Sequence, residues 1–359
     1  MKSKKYLFLT LIPIFTLFYF NNPEKEHKMT FISNPELNTI SGLNNWKGTP
    51  IDEKGNFQNL YQPFKSSFGD LLKWQTSKNP QKKEKKNETR RLSVKVDNDA
   101  LQGDADYLIW LGHATYLMQI NGKVLLTDPV LIDNLFLKRE SKLPISLDNL
   151  PALDYILLSH SHRDHCDEKT LEYLSEINPG VTFLTGLGMK DVIISWTKGQ
   201  MIQEAGWYQQ FDIPGLDFEI TYVPSRHWSR RGLFDENVSL WGGFYLKTNQ
   251  QSIYLMGDSG SGPHFKDIST ALGEPDYCLM GVGAYKPEWF MNQAHISPLD
   301  AIDAFNEMGG RYFIPMHFGT FDLSDEPRME PLDVLIEHES KLEGELLRVV
   351  LGKNLLVGK

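Results

Sequence analysis

From about residue 106 onward the chain alternates between short apolar segments and polar turns. Most of these segments have the length of β-strands and are bounded by residues that favour turns. Asn121-Gly122, which separates two of them, is the strongest short signal for a β-hairpin. A second hairpin is predicted further along. The predicted strands are 107–111, 116–120, 123–127, 155–158, 181–185, 218–222, 241–247, 252–256, 277–280, 311–316 and an edge strand at 349–351.

Helical periodicity occurs in fewer segments, which lie between the predicted strands. Asp167 is a suitable N-cap for one helix, and Ser297-Pro298 begins another. Because strands outnumber helices and hairpins recur, the pattern does not fit a doubly wound parallel sheet. It predicts an α+β fold, a sandwich of two mixed sheets with helices on the outside. The apolar face of the first helix consists of Leu171, Leu174 and Ile177.

Residues 1–22 differ in composition from the rest of the chain. Several lysines, from Lys2 to Lys5, precede an uncharged and mostly apolar run from Tyr6 to Phe20. A positive flank before an apolar run is typical of a signal peptide or a membrane anchor, and it disfavours a buried helix of the folded body. The run is shorter than the ~20 residues that span a bilayer, and no small-residue cleavage site follows it. We therefore expect an uncleaved or poorly cleaved signal anchor, with the folded body membrane-associated and outside the cytoplasm.

Residues 23–104 are polar and weakly periodic, which predicts an N-terminal extension and linker before a single folded domain at 105–359. The charged run 79–91 is predicted to be a solvated linker, and contact of its basic side chains with a membrane surface is the alternative. Aromatic residues in the same extension are expected to pack on the main domain rather than to bind a ligand. They are Phe57, Tyr61, Phe64, Phe68 and Trp74.

The overall composition restricts the possible partners and metal ligands. Among 359 residues, 37 basic and 46 acidic side chains give a net charge of −9, which disfavours a nucleic-acid partner. Cys166 and Cys278 are the only cysteines, so the chain has neither a disulfide framework nor a cysteine-rich zinc knuckle. A bound metal must therefore be held by histidine and carboxylate, which favours an open catalytic site over a closed structural one.

Metal-ligating side chains are concentrated directly after the predicted strand 155–158. The segment His160-Ser161-His162-Arg163-Asp164-His165 places three imidazoles and one carboxylate within six positions. Imidazole nitrogen and carboxylate oxygen suit zinc or a similar first-row ion, and this spacing can supply two ions. The density of donors favours a metal site over an ordinary polar turn.

Three further donors also follow predicted strands, and they are His227, Asp258 and His317. Strand ends meet at one edge of a sandwich, so these side chains can reach the histidine-rich turn. Two ions could then share one ligand and leave room for water. The predicted metal ligands are His160, His162, Asp164, His165, His227, Asp258 and His317.

The remaining histidines are interpreted individually. His113, at the end of a predicted strand, is expected to lie just behind the metal ligands. His264 is close to Asp258 in the sequence but is assigned no role. His27 and His338 lie in polar surroundings and are expected to be inert.

Together these residues resemble the metallo-β-lactamase fold, and longer motifs are similar to the family of N-acylphosphatidylethanolamine-hydrolysing phospholipase D. The similarity covers roughly residues 105–350 and is most specific between 283 and 298. The resemblance implies a four-layer αβ/βα sandwich with a two-zinc site at one edge. The motifs are Gly112-His113-Ala114-Thr115, Thr127-Asp128-Pro129, Pro224-Ser225-Arg226-His227-Trp228, Trp241-Gly242-Gly243, Gly257-Asp258-Ser259, Gly283-Ala284-Tyr285-Lys286-Pro287-Glu288-Trp289-Phe290-Met291 and Met316-His317-Phe318-Gly319-Thr320-Phe321.

The resemblance also implies a role for each site residue. Asp258 would bridge the two zinc ions, and Asp128 would orient a ligand from behind. His295, in Gln293-Ala294-His295, matches a histidine that the family places near the substrate, which implies a catalytic or substrate-positioning role. Ser259 and Phe318 depart from the family pattern, where threonine and tryptophan are usual. One zinc would be held by His160, His162 and His227, and the other by Asp164, His165 and His317.

The implied activity is hydrolysis of a phosphodiester in a phospholipid headgroup, in which a water between two metals attacks phosphorus and Asp164 and Asp258 orient it. Three alternatives stay open. A hydrolase of the same fold could act on another ester, a lactone, an amide or a nucleotide phosphodiester. A redox di-iron enzyme is disfavoured because His162 stands where such proteins have glutamate. A zinc-binding or membrane-tethered scaffold without activity is disfavoured by the complete set of donors.

Overall fold

The computed structural model describes residues 29–43, 45–65, 67–134 and 137–357, and for Phe68 only the backbone. The predicted signal peptide or anchor at 1–22 and His27 lie outside these ranges. Within them, no helix combines the length and the apolar composition needed to cross a membrane.

The described residues form fifteen strands and nine α-helices, numbered in chain order. The strands are β1 (Thr30–Ile32), β2 (Thr49–Ile51), β3 (Tyr107–Gly112), β4 (Thr115–Ile120), β5 (Lys123–Thr127), β6 (Tyr155–Leu158), β7 (Thr182–Gly186), β8 (Met201–Ala205), β9 (Gln209–Gln210), β10 (Glu219–Val223), β11 (Gly243–Lys247), β12 (Ser252–Leu255), β13 (Tyr277–Gly281), β14 (Tyr312–Met316) and β15 (Glu345–Leu346). The helices are α1 (Phe68–Thr76), α2 (Lys82–Asn87), α3 (Asn98–Gln102), α4 (Glu168–Ile177), α5 (Lys190–Ile193), α6 (His264–Leu272), α7 (Glu288–Met291), α8 (Pro298–Met308) and α9 (Glu330–Glu337).

Two large mixed sheets make up the body of the protein. One has the order β3-β4-β5-β6-β7-β8, antiparallel from β3 to β5 and parallel from β5 to β8. The other has the order β15-β14-β13-β12-β11-β10-β9, parallel from β15 to β12 and antiparallel from β12 to β9. β1 and β2 form a separate small sheet. The predicted pair of mixed sheets is confirmed.

The burial pattern explains why the sheets pack as four layers. Along β3, Leu108 and Trp110 enter the core between the two sheets, whereas Ile109 and Leu111 pack on the opposite face with α4 and α5. This alternation is the two-residue period of a strand that is covered on both faces. Residues of α6, α8 and α9 cover the outer face of the seven-stranded sheet. The predicted αβ/βα sandwich is therefore confirmed.

The helix starts follow the local sequence. Asp167 caps α4, as predicted, by accepting a hydrogen bond from the backbone N–H of Thr170, and Ser297 caps α8 in the same way through Asp300. Leu171 and Leu174 are buried on the inner face of α4. Ile177, the last residue of α4, is 43% exposed.

One predicted edge strand is wrong. Residues 349–351 form no strand, and only Leu351 makes an isolated bridge, to Val94. The edge of the seven-stranded sheet is instead the two-residue strand β15, which pairs with β14. After β15 the chain passes to β3 of the other sheet, where the backbone N–H groups of Gly352 and Leu355 donate to the carbonyls of Trp110 and Leu108.

The N-terminal extension contacts the sandwich at many points. Gln81 and Lys85, in the charged run expected to be a solvated linker, lie at the start of and within α2 and are half-buried. The side chain of Gln81 hydrogen-bonds to Glu330, and the ammonium of Lys85 binds the backbone carbonyl of Ser324. This run is therefore partly structured, because its polar side chains find partners on the body.

Candidate metal centre

The predicted donors occupy one edge of the sandwich, just beyond the ends of strands from both sheets. The histidine-rich turn follows β6, and the other donors follow β10, β12 and β14. Adjacent parallel strands bring their carboxyl ends together, so residues far apart in sequence meet here. The turn is closed by hydrogen bonds from the backbone N–H groups of His165 and Cys166 to the carbonyl of His162. All seven predicted ligands are brought together.

Three imidazoles converge in the first donor set. Nε2 of His160 and Nε2 of His227 lie 2.9 and 3.1 Å from Nδ1 of His162. Oδ2 of Asp258 lies 3.8 Å from Nε2 of His160 and 3.8 Å from Nε2 of His227. These four ligand atoms lie within 4.8 Å of one another. The arrangement is suited to a single ion held by three nitrogens and one oxygen.

The second donor set shares the same carboxylate. Nε2 of His165 lies 3.1 Å from Oδ2 of Asp258, and Nε2 of His317 lies 3.1 Å from Oδ1. Oδ2 of Asp164 lies 3.6 and 3.5 Å from these two nitrogens. Asp258 therefore faces both donor sets.

The donor geometry fits bound zinc. At Zn–N distances of about 2.0–2.1 Å, tetrahedral ligands lie about 3.3 Å apart, close to the separations seen in both sets. Nε2 of His165 and Nε2 of His317 are buried and form no hydrogen bond. Buried polar atoms normally have partners, so these nitrogens point to a ligand between them.

Outer hydrogen bonds leave an unprotonated Nε2 on three of the histidines. Nδ1 of His227 lies 3.0 Å from the carbonyl oxygen of Ala294, which can only accept, so Nδ1 carries the proton. Nδ1 of His165 likewise donates to Oδ2 of Asp128 at 2.8 Å. The hydroxyl of Ser159 donates to Asp128 and can therefore accept from Nδ1 of His160 at 2.9 Å. In the neutral ring, each Nε2 then offers its lone pair to an ion.

The charges of the site favour a cation. Burial alone would raise the pKa of Asp258, but the adjacent His165 and His317 hold that pKa well below its usual range. Burial opposes protonation of His317, yet Asp258 and Asp164 raise its pKa to about 9. Two buried carboxylates thus attract positive charge among the histidines, and a divalent cation can replace the bound protons.

The other histidines occupy different positions. His113 is buried with Nε2 3.1 Å from Oδ2 of Asp164. It was expected behind the ligands, but it belongs to the same cluster of possible metal ligands as Asp164, His165 and His317. His295 lies on the accessible side, with Nδ1 3.7 Å from Oδ2 of Asp258 and 17% of its side chain exposed. His264 hydrogen-bonds to Ser259, outside the clusters of donors found among the described residues. His338 contacts the carbonyl of Val334 in its own helix.

Two supporting residues were not predicted from the sequence. Asn59, in the N-terminal extension, accepts a hydrogen bond from the backbone N–H of His227 and donates one to its carbonyl. Arg231 donates from Nη1 to the carbonyls of Ser161 and Cys166 in the histidine-rich turn. An asparagine and an arginine in polar loops give no pattern signal, because their roles depend on which loops the fold brings together.

A comparison with protein families identifies the family of this chain, and the match covers the region of the candidate metal centre. The family model for the beta-lactamase superfamily domain matches residues 123–318. The chain belongs to this superfamily. All seven donors, from His160 to His317, lie within the matched range. The prediction of a metal-dependent hydrolase of this superfamily is confirmed.

Two curated relatives carry more specific names. The chain is 33% identical over 249 residues to N-acyl-phosphatidylethanolamine-hydrolyzing phospholipase D 1 of Caenorhabditis elegans, covering 64% of this chain and 69% of the relative. It is 31% identical to the mitochondrial enzyme of that name from Saccharomyces cerevisiae, covering 64% of this chain but only 51% of the relative. The resemblance to this phospholipase D family is confirmed.

Solved structures show the same superfamily fold. An isothiocyanate hydrolase from Delia radicum gut bacteria superposes with a TM-score of 0.57 at 17% identity, covering 69% of this chain and 98% of that one. At such low identity the similarity establishes the shared architecture alone.

Proposed function

We propose that this β-lactamase superfamily hydrolase is a zinc-dependent phosphodiesterase of the phospholipase D type. It would hydrolyse N-acylphosphatidylethanolamine-like phospholipids to phosphatidic acid and N-acylethanolamine. The observation that carries the proposal is the pair of donor sets joined by Asp258. A two-metal site of this kind is suited to displacement at phosphorus, and the named relatives supply the substrate class.

The site residues have two kinds of role, metal binding and substrate chemistry. One zinc would be held by His160, His162 and His227, and the other by Asp164, His165 and His317. Asp258 would bind both. Bound zinc would lower the pKa of water toward ~7. It would also supply the positive charge that neutralises the phosphodiester, since the protein itself is acidic. Asp164 and Asp258 place carboxylate oxygens where they can orient that water.

The hydrolysis exchanges one bond at phosphorus for another. The oxygen of water bonds to phosphorus, the bond to the ethanolamine oxygen breaks, and the departing oxygen receives a proton. His295 is placed to act on the substrate side, because its ring is partly exposed and still lies 3.7 Å from Asp258. Burial lowers the pKa of His295 to about 4. We therefore assign it a positioning role through a neutral ring.

Metal analysis combined with a phospholipid product assay tests this proposal. We expect His160→Ala and Asp258→Asn to lose bound metal together with turnover, by at least about a hundredfold, because each removes a ligand. His338→Ala is the matched control, since that ring hydrogen-bonds to Val334 and belongs to none of the clusters of possible metal ligands among the described residues, and it should leave both unchanged. A His160→Ala protein with full activity would contradict the assignment. Turnover of an aryl phosphodiester without any phospholipid product would indicate a hydrolase of another ester.

A further inference from the structure

Residues 59–65 and 67–75 of the N-terminal extension contact segments that carry or flank residues of the candidate metal centre. Asn59 binds both backbone groups of His227. Further along, the backbone N–H of Lys65 donates to the side-chain oxygen of Gln293 at 3.0 Å, and the amide of Gln293 donates back to the carbonyl of Lys65 at 3.0 Å. Gln293 lies two positions before His295. The extension is thereby joined to two loops that carry site residues.

Between these two attachments, an aromatic pair lies beside the metal ligands. The ring of Phe64 stacks on Trp228 with centroids 5.2 Å apart and planes 6° from parallel. The ring of Trp228 in turn meets His162 edge-on at 4.6 Å. Phe64 and Trp228 are both half-buried, so part of each residue remains accessible to solvent.

A second aromatic pair joins the extension to α7. Trp74 of α1 stacks on Phe290 of α7 with centroids 5.2 Å apart. The adjacent Trp289 is 43% exposed. One segment of the extension thus places two stacked pairs against the loops that follow His227 and precede His295. Aromatic faces of this kind bind apolar groups, because each ring removes a large apolar area from water.

We propose that Phe64 and Trp228 form the contact surface for the N-acyl chain of the substrate, and that Phe64 therefore determines its preference for long chains. This inference rests on the proposed function. The chain of the leaving group begins a few bonds from the scissile phosphodiester, and the rings lie directly beside the ligands that would hold the metal. A hydrocarbon chain that leaves the site here would pack along Phe64.

The test compares two phospholipids that differ only in the N-acyl group, N-palmitoyl and N-acetyl phosphatidylethanolamine, in mixed micelles. Phe64→Ala should lower kcat/KM for the N-palmitoyl substrate about tenfold, which corresponds to the loss of one ring contact, and change the N-acetyl value less than about twofold. Phe64→Leu keeps an apolar side chain and should retain most of the chain-length preference. Phe31→Ala is the matched control, because Phe31 is an exposed phenylalanine of the same extension whose ring contacts Lys47.

The outcomes separate this inference from the proposed function. Equal losses on both substrates, or no loss on either, overturn the role of Phe64 while phospholipid turnover by the wild type still supports the proposed function. A wild type that cleaves neither phospholipid overturns the proposed function and this inference with it. If Phe64→Ala does not fold, an unchanged chain-length ratio in Phe64→Gln overturns the inference equally well.

Discussion

At the residue scale, Asp128 supports both donor sets. Its Oδ1 accepts the backbone N–H of Ser159 at 2.7 Å, and its Oδ2 accepts from the Ser159 hydroxyl at 2.6 Å and from Nδ1 of His165 at 2.8 Å. Through Ser159 it also fixes the orientation of His160. One buried carboxylate therefore orients a ligand in each set.

Asp128→Asn should weaken metal binding without removing a ligand. The amide has one acceptor oxygen instead of two. Either the backbone N–H of Ser159, or the Ser159 hydroxyl together with Nδ1 of His165, therefore faces a donor and loses its partner. We expect the affinity for zinc to fall by about 10–100-fold, as is usual when the partner of a ligating histidine is lost. Competition with a chromophoric chelator measures this. Asp133→Asn, at an exposed aspartate that accepts from Arg139, is the control. Equal affinities in both variants would count against the role of Asp128.

The sequence predicted which donors meet at the candidate metal centre, because they follow strands whose patterns are strong. The histidine-rich turn stands out by its density of donors, and His227, Asp258 and His317 by their positions after strands. Asn59 was not predicted, because its partner His227 is 168 positions away and nothing local marks the contact. Residues that support ligands through backbone contacts become visible only when the loops are placed.

At the element scale, the turn after β12 positions the shared carboxylate. Gly257 has φ +65°, and a Cβ there would lie 2.5 Å from the carbonyl oxygen of Gly242 and 3.0 Å from Cβ of Ser159. This glycine lets the strand end approach the neighbouring loops closely enough for Asp258 to reach both donor sets. Only the absence of a side chain permits both the backbone angle and the close contact.

Gly257→Ala should therefore be more damaging than another substitution with similar backbone strain. Gly122, in the β4–β5 hairpin, has φ +74°, but a Cβ there would have no neighbour within 4 Å. Gly122→Ala therefore measures the backbone strain alone, which should lower the free energy of unfolding by about 1 kcal/mol. Gly257→Ala adds a backbone clash and should lower the free energy of unfolding by a further ~2 kcal/mol or more. Chemical denaturation with metal analysis checks this. Similar destabilisation in the two variants would show that the close contact is unimportant.

The strands that the pattern predicted are those with continuous apolar runs or hairpin turns. Residues 155–158 match β6, and the hairpin at Asn121-Gly122 joins β4 to β5. β8 was not predicted because it is an edge strand containing Gln203 and Glu204, which lack the apolar alternation. β15 is too short to give a pattern. Such edge strands form because they pair with a neighbouring strand in the fold, and the local sequence does not show that pairing.

At the scale of the whole molecule, the N-terminal extension is part of the site rather than an addition to it. Its contacts reach the loop of His227, the loop before His295 and the body near Glu330. The aromatic residues of the extension were expected to pack on the main domain rather than to bind a ligand. Phe57, Phe64 and Trp74 do pack on it, whereas Tyr61 is 52% exposed. The role proposed for Phe64 departs from that expectation. The sequence could predict this packing but not that the extension borders the metal centre.

Two truncations distinguish the roles of the N-terminal segments. Removal of residues 1–22, the predicted anchor, should release the protein from the membrane fraction and leave turnover of micellar substrate intact. Removal of residues 1–104 also deletes Asn59, so it should lower metal content and turnover at least about tenfold. Fractionation, metal analysis and product assay on both proteins check this. A shortened chain from residue 105 that retains full metal and turnover would show that the extension is dispensable.

The spread of the supporting residues along the chain affects when the metal can be acquired. Groups from Asn59 to His317 must meet before both donor sets are complete. A ribosome will therefore have made nearly the whole polypeptide before a cation can be held by the full site, and loading follows synthesis. If the polypeptide is translocated unfolded, any metal ion that it binds must come from the compartment in which it folds, and the supply there would set the yield of loaded protein.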